Sequence, residues 1–113
     1  MDFESEVIAK EFLPAARSLL ANELADEYGL YQEEIGEIMD ISQPAVSQYL
    51  NQKRADKKII RAMKDDPQVM LILDEAASNA AKEQSYVAEF QQILETVRAK
   101  GLMKENFKDT EKL

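Results

Sequence analysis

The sequence predicts an all-α protein built around a helix-turn-helix, with a C-terminal helical extension. Apolar residues recur at spacings of three and four along most of the 113 residues, which is the period of amphipathic helices. In residues 32–54, two short segments of this kind flank a turn, and the second segment begins at Ser42. Each segment has one apolar stripe, so the two helices are expected to close on a shared core. The stripe residues are Ile35, Ile38, Met39, Ile41, Val46, Tyr49 and Leu50.

The composition argues against several classes of protein. The chain contains no Cys, so it has no disulfide framework and no thiolate metal site. It also contains no His, which is the residue that most often acts as a general base. The longest apolar run, residues 69–73, is far too short to span a bilayer. We therefore expect no metal, no cofactor, no membrane partner and no enzyme. The acidic N-terminus differs from a basic signal peptide, which predicts a cytoplasmic protein.

The charge distribution favours an anionic partner in spite of a net charge of -8. Residues 53–64 contain six basic side chains and only one acid, Asp56, whereas the flanking regions are acidic. A basic patch directly after the second helix of the motif is the footprint that phosphate binding requires. The alternative is that this run is simply the solvated face of a helix. The basic residues are Lys53, Arg54, Lys57, Lys58, Arg61 and Lys64.

The first third of the chain predicts two helices ahead of the motif. Residues 3–12 have apolar positions at helical spacing and form a short N-terminal helix. Pro14 suits the first turn of a new helix, which Gly29 ends because glycine enters the left-handed region. Arg17 is the only basic residue of that helix and is a candidate phosphate contact.

The motif helices have their own local signals. The first spans residues 32–39, and its acids Glu33, Glu34 and Glu37 are read as a solvated face rather than as a catalytic carboxylate pair. The turn is residues 40–42, in which Ser42 is a good N-cap for the second helix. Asp40 stands where glycine is preferred, so some backbone strain is expected. Uncharged polar residues on the second helix suit the edges of bases: Gln43, Ser47, Gln48 and Asn51.

These residues resemble a family of regulators. The matching positions run from Leu13-Pro14 through Arg17, Gly29-Leu30 and Gln32-Glu33-Glu34-Ile35 to Ile41-Ser42-Gln43-Pro44-Ala45-Val46-Ser47-Gln48-Tyr49-Leu50 and Lys53-Arg54. The segment resembles XRE-like helix-turn-helix regulators of the phage-repressor and Cro type, and within that class small archaeal predicted regulators. The resemblance implies a lambda-repressor-like fold that binds double-stranded DNA.

The resemblance also implies roles for individual residues. Gln32 takes the position of a phosphate contact, and Asn51 that of a backbone or base contact near the helix end. The chain departs from the pattern at Tyr31, Gly36 and Asp40, where Ser or Thr, Ala and Gly are usual. The Cys cluster that some such regulators carry is missing, so a metal or redox sensor is unsupported. The base-facing positions are Ser42, Gln43, Pro44, Ser47, Gln48 and Asn51.

The C-terminal half predicts further helices. Residues 57–63 form one helix with its cations outward, and residues 65–67 end it. Residues 68–100 are helical, and we expect two helices that break near 78–79 or 84–85. Their apolar stripe packs either inside the chain or against a second subunit, and the sequence leaves both open. The stripe, and hence the candidate dimer interface, is Leu73, Ala76, Ala80, Val87, Phe90, Leu94 and Val97.

Together these features predict a homodimeric, sequence-specific DNA-binding transcriptional regulator. Residues 1–65 form the DNA-binding domain, residues 66–102 the dimerisation helices and residues 103–113 a flexible tail. The alternative is a protein-interaction module, an antitoxin or adaptor, that keeps the fold. The operator, the direction of regulation and any small-molecule effector are not specified by the sequence. The phosphate contacts are expected at Gln32, Arg17, Lys53, Arg54, Lys57 and Lys58.

Overall fold

The computed structural model describes residues 2–113, and every regular element of this range is helical, which confirms the all-α prediction. No helix in the described range has both the length and the apolar character needed to cross a membrane. The elements are α1 (Glu4–Val7), a π-helical segment (Ile8–Phe12), α2 (Leu13–Asp26), α3 (Gln32–Met39), α4 (Gln43–Leu50), α5 (Lys57–Lys64), α6 (Pro67–Ala81), α7 (Val87–Ala99) and α8 (Lys104–Phe107).

The chain stays helical without a break from α1 to the end of α2. The helix predicted here begins at Leu13 with Pro14 in its first turn, as expected, but it follows the preceding segment directly rather than after a break. A wide π turn precedes Pro14, and Leu13 donates its N–H to the carbonyl of Ile8. Proline has no N–H and its ring crowds the carbonyl four residues earlier, so the wider turn lets the helix continue through it.

The α3–α4 pair follows the predicted bounds and turn. Asp40 ends α3 with φ 55°, in the left-handed region, and the N–H of Ile41 bonds the carbonyl of Gly36 at 3.0 Å. Ser42 caps α4 as predicted, because its Oγ accepts the N–H of Ala45 at 3.2 Å. The turn is thus fixed from both sides by hydrogen bonds.

Glu34 has a role that the sequence reading missed. Its Oε1 accepts the N–H of Tyr31 at 2.9 Å, which satisfies a free backbone donor at the start of α3. The signal was present as a glutamate three residues after the N-cap position, the second half of a capping box. Tyr31 itself supplies no side-chain cap, so only the half of the capping box that Glu34 provides is formed.

Helix α2 lies behind α4 and fixes its orientation. Ala45, Val46 and Tyr49 are the buried positions of α4, which packs against α2 and α3. Ser18 of α2 is buried and donates its hydroxyl to the carbonyl of Tyr49 at 2.6 Å. That carbonyl belongs to the last turn of α4, where no partner exists within the helix. The bond therefore ties the end of α4 to α2.

Helices α6 and α7 form a hairpin that shares the core of the first half. The chain breaks between Ala81 and Val87, which confirms the break expected near residues 84–85. Asp66 caps α6 by accepting the N–H of Val69 at 3.0 Å. Because α6 packs against α2, α3 and α5 and the buried residues form one cluster, the boundary predicted at residues 65–66 does not separate two cores.

Most of the residues predicted to form a dimer interface lie inside the single chain. Val87 is 69% exposed and Leu94 is half-buried, so these two remain at the surface. For the other five the interface prediction is corrected, because their apolar side chains are already buried between α6, α7 and the earlier helices. These five are Leu73, Ala76, Ala80, Phe90 and Val97.

Residues 103–113 pack on the N-terminal helices, so the prediction of a flexible tail is wrong. Met103 is buried, and the N–H of Glu4 bonds the carbonyl of Glu111 at 2.8 Å. Arg98 joins the two ends: its guanidinium lies 3.9 Å from the ring centroid of Phe107, and its Nη1 is 2.9 Å from Oε1 of Glu4. These contacts between the ends of the chain hold the last residues in place.

Candidate nucleic-acid interface

The outer face of α4 is polar and uncharged. Gln43 and Pro44 are exposed in its first turn, and Ser47 and Gln48 lie one turn further along, half-buried. Spacings of three and four place these side chains on one side of the helix, opposite the buried Val46. The base-facing set predicted from the sequence is thus brought together on one surface, where amide and hydroxyl groups supply both donors and acceptors.

Three of the side chains predicted to face bases are already engaged within the chain, and one of them is Ser42, whose hydroxyl caps α4. Asn51 donates its Nδ2 to the carbonyl of Ser47 at 2.9 Å, which leaves its amide oxygen outward. Gln48 accepts a hydrogen bond through Oε1 from Nε of Arg54. The guanidinium of Arg54 also lies 5.5 Å from the ring centroid of Tyr49. Arg54, predicted as a phosphate contact, therefore sits against α4.

The chain turns sharply after α4 and brings the basic residues beside it. Gln52 has φ 57°, and the N–H of Lys53 bonds the carbonyl of Gln48 at 2.8 Å, which closes the helix end. Asp56 then starts α5 by accepting the N–H of Lys58 at 2.7 Å. The only acid of the predicted basic run thus serves as a helix cap.

Four cations form what we call the α5 basic surface: Lys57, Lys58, Arg61 and Lys64. All four are exposed, and together with Gln52, Ile60 and the single acid Asp65 they line an open cleft of about 650 Å³. The ion pairs found within residues 2–113 use other cations, namely Lys10, Arg98 and Lys100. The positive charge of this surface is therefore not neutralised by an ion pair in the described part of the chain, and it favours a polyanion.

The other two predicted phosphate contacts lie on different helices, α3 and α2. Gln32 is exposed at the first position of α3. Arg17 is half-buried on α2. Burial raises the pKa of the Tyr86 hydroxyl, the charge of Arg17 lowers it and the charge of Asp40 raises it.

Comparison of this chain with protein-family models, with curated protein sequences and with solved structures finds no match. Among residues 2–113, no group of three or more Asp, Glu, His or Cys side chains is arranged to hold a metal ion. The α4 face and the α5 basic surface are the features of the described chain from which a function can be inferred.

A separate cluster of acids lies between α2 and α6. Glu23, Glu27 and Asp74 line a shallow concavity together with Tyr28 and Met70. Burial, followed by a side-chain hydrogen bond and repulsion from Asp74, raises the pKa of Glu23 from its ordinary 4.5 to about 7. Between pH 4.5 and about 7, the Glu23 carboxyl therefore keeps its proton in the folded chain, whereas it has lost that proton in the unfolded chain.

Stability is expected to fall as the pH rises through this range, because the unfolded state binds fewer protons than the folded state. Glu23→Gln removes the charge and retains a donor for Asp74. Since solvent screens the partly exposed carboxyl, we expect the variant to be more stable than the wild type by about 1 kcal/mol at pH ~8, with no gain at pH ~5. Urea unfolding at both pH values measures this. Glu95→Gln, the same change at an exposed site on α7, is the control, and an equal gain for it would contradict the prediction.

Proposed function

We propose that this protein is a sequence-specific, double-stranded DNA-binding transcriptional regulator with a lambda-repressor-like helix-turn-helix. The observation that carries the proposal is the junction of two surfaces. An uncharged polar face on α4 is followed, through a sharp turn at Gln52, by the α5 basic surface, and Gln52 itself lines the cleft of that surface, on a chain whose net charge is -8. Cations concentrated at one place on an acidic protein attract a polyanion only there, and the polar face beside them supplies groups that distinguish bases.

In this proposal α4 enters the major groove. Gln43, Pro44 and Ser47 face the base edges, whose donor and acceptor pattern differs for each base pair in that groove. The α5 basic surface and Lys53 hold the phosphates next to the site, which fixes the register of α4 but carries no sequence information. Gln32, at the start of α3, adds a phosphate contact on the other side of the turn.

Two copies are proposed to bind together. A single small module buries too little surface for tight specific binding, and two-fold pairing doubles the contacts. The half-sites then lie about 34–36 Å apart on one face of the duplex. Of the stripe residues predicted at the interface, Val87 and Leu94 are the two that a partner can still contact. Light scattering of the protein with and without its DNA site measures the stoichiometry.

The decisive experiment is selection of bound fragments from sheared genomic DNA, with random duplex as competitor at about 150 mM salt, where non-specific binding is weak. Enrichment of a short two-fold-related site supports the proposal, and its spacing tests the dimer. If the folded protein enriches no sequence, the proposal fails and a protein-interaction module, such as an antitoxin or adaptor, becomes the better reading.

Gln43→Ala is expected to relax base preference at one position of each half-site. Gln43 is exposed in the first turn of α4, so its loss does not disturb the core. One good side-chain contact to a base discriminates by about 1–3 kcal/mol, which is roughly fivefold to more than a hundredfold. Binding to duplexes with single base-pair changes measures the effect, and Gln91→Ala, on the exposed face of α7, is the control. An equal loss on specific and random DNA would rule out a base-reading role for Gln43.

A further inference from the structure

Arg54 holds the side-chain amide of Gln48 in one orientation. Its Nε donates to Oε1 of Gln48, and its guanidinium lies over the ring of Tyr49. The Tyr49 ring is buried, so it provides a fixed platform for the cation. Arg54 is exposed and Gln48 is half-buried, which leaves the outer edges of both side chains facing solvent beside α4.

The chemistry of the guanidinium decides which way the amide points. Arginine carries five N–H donors and no acceptor, so only the oxygen of Gln48 can face it. The amide NH₂ of Gln48 is then directed away from Arg54. The remaining NH₂ groups of the guanidinium are also donors. The outer edge of the pair therefore presents mainly donors, because Arg54 occupies one of the two lone pairs of the Gln48 oxygen.

From this geometry we propose, resting on the function proposed above, that Arg54 and Gln48 act as one unit that reads guanine. In the major groove guanine presents two acceptors, O6 and N7, whereas adenine presents one acceptor and one donor. A pair that presents mainly donors matches guanine and sets a donor against the N6 amino group of adenine. Arg54 is thus a base-reading and positioning residue, which differs from the phosphate contact that the sequence predicted for it.

Removal of Arg54 is expected to change the identity of the preferred base. Without the guanidinium the Gln48 amide is free to rotate and regains its acceptor, and glutamine pairs with N6 and N7 of adenine through one acceptor and one donor. Arg54→Ala is therefore expected to shift the preference at one position from guanine toward adenine. Gln48→Ala is expected to lose the guanine preference without gaining one for adenine. A merely structural role for Arg54 does not produce this shift.

The test uses the site selected by the wild-type chain, with each of the four base pairs placed in turn at every position. Dissociation constants are measured for the wild type, Arg54→Ala, Gln48→Ala and the double variant. Arg54→Lys keeps the charge but lacks the planar fork, and it serves as a second probe should Arg54→Ala unfold. Lys57→Ala is the control for a phosphate contact, since it weakens binding to all sequences alike.

We expect the wild type to prefer guanine by at least about tenfold at one position, and both single variants to lose that preference at the same position. The double variant is expected to lose no more specificity than the worse single variant, because the two residues act together. Variants that lower binding to every sequence equally overturn this inference and leave the regulator function standing. If the wild type selects no sequence, the proposed function and this inference fall together.

Discussion

Gly36→Val is expected to lower the free energy of unfolding by about 3 kcal/mol, because there is no room for a side chain at this position. A Cβ on Gly36 would lie 2.9 Å from the carbonyl oxygen of Ile41 and 3.6 Å from Cγ2 of Val46. The first contact is to backbone in the turn between α3 and α4. That turn cannot yield easily, since the N–H of Ile41 is bonded to the carbonyl of Gly36 itself.

Gly36→Ala separates the steric effect from helix propensity. Alanine favours the helix over glycine by about 1 kcal/mol, which offsets part of the clash, so we expect a smaller net loss of about 1 kcal/mol. Urea unfolding followed by circular dichroism measures both variants. Ala88→Val, at an exposed position of α7, gives the cost of a β-branched residue in a helix where nothing is crowded. Equal stabilities for Gly36→Val and Ala88→Val would contradict the steric argument.

The parts of the fold that were predictable from the sequence are those with local signals. Ser42 and Asp66 cap helices because a short polar side chain reaches the free N–H groups of the next turn. Asp40 takes a positive φ because the motif needs a tight turn there and aspartate tolerates it. Pro14 lies in the first turn of α2, where its missing N–H costs little, but it does not indicate that the π-helical segment runs directly into that helix.

The long-range contacts were not predictable in this way. The spacing of Leu73 and Phe90 shows that one side of each helix is apolar, but it does not say whether the same chain or a second copy covers it. In the structure, Leu73 and Phe90 are both buried by other residues of the same chain. The N–H of Glu4 donates to the carbonyl of Glu111, which lies near the other end of the sequence. No local sequence pattern predicts such a contact.

The candidate site likewise has a part that local sequence patterns predict and a part that they do not. The polar face of α4 follows from helical spacing, so its members could be named from the sequence. The Gln48–Arg54 contact could not, because the two residues are six positions apart and helical neighbours are three or four apart. The contact depends on the sharp turn at Gln52, whose positive φ redirects the chain so that Arg54 reaches Gln48.

Replacement of the whole α5 basic surface with alanine is expected to weaken DNA binding by roughly 100-fold at about 150 mM salt, for specific and random duplexes alike. Lys57, Arg61 and Lys64 share one side of α5 and extend about 10 Å along it. Each lost phosphate contact makes the slope of log affinity against log salt shallower by about 0.9, so the four-residue variant is expected to lose about three to four units of slope. The fold is expected to be retained, because the exposed cations lie opposite the buried Ile59, Ile60 and Met63.

The matched control removes the same number of positive charges elsewhere, at four exposed lysines. If net charge alone governs attraction to DNA, both four-residue variants weaken binding equally. If the α5 basic surface contacts the phosphates, only its variant changes the salt slope, because counterion release counts the phosphates that are neutralised. Fluorescence anisotropy with a labelled duplex over a range of salt concentrations measures both. Identical slopes for the wild type and the α5 variant would show that DNA does not contact this surface. The control residues are Lys10, Lys82, Lys108 and Lys112.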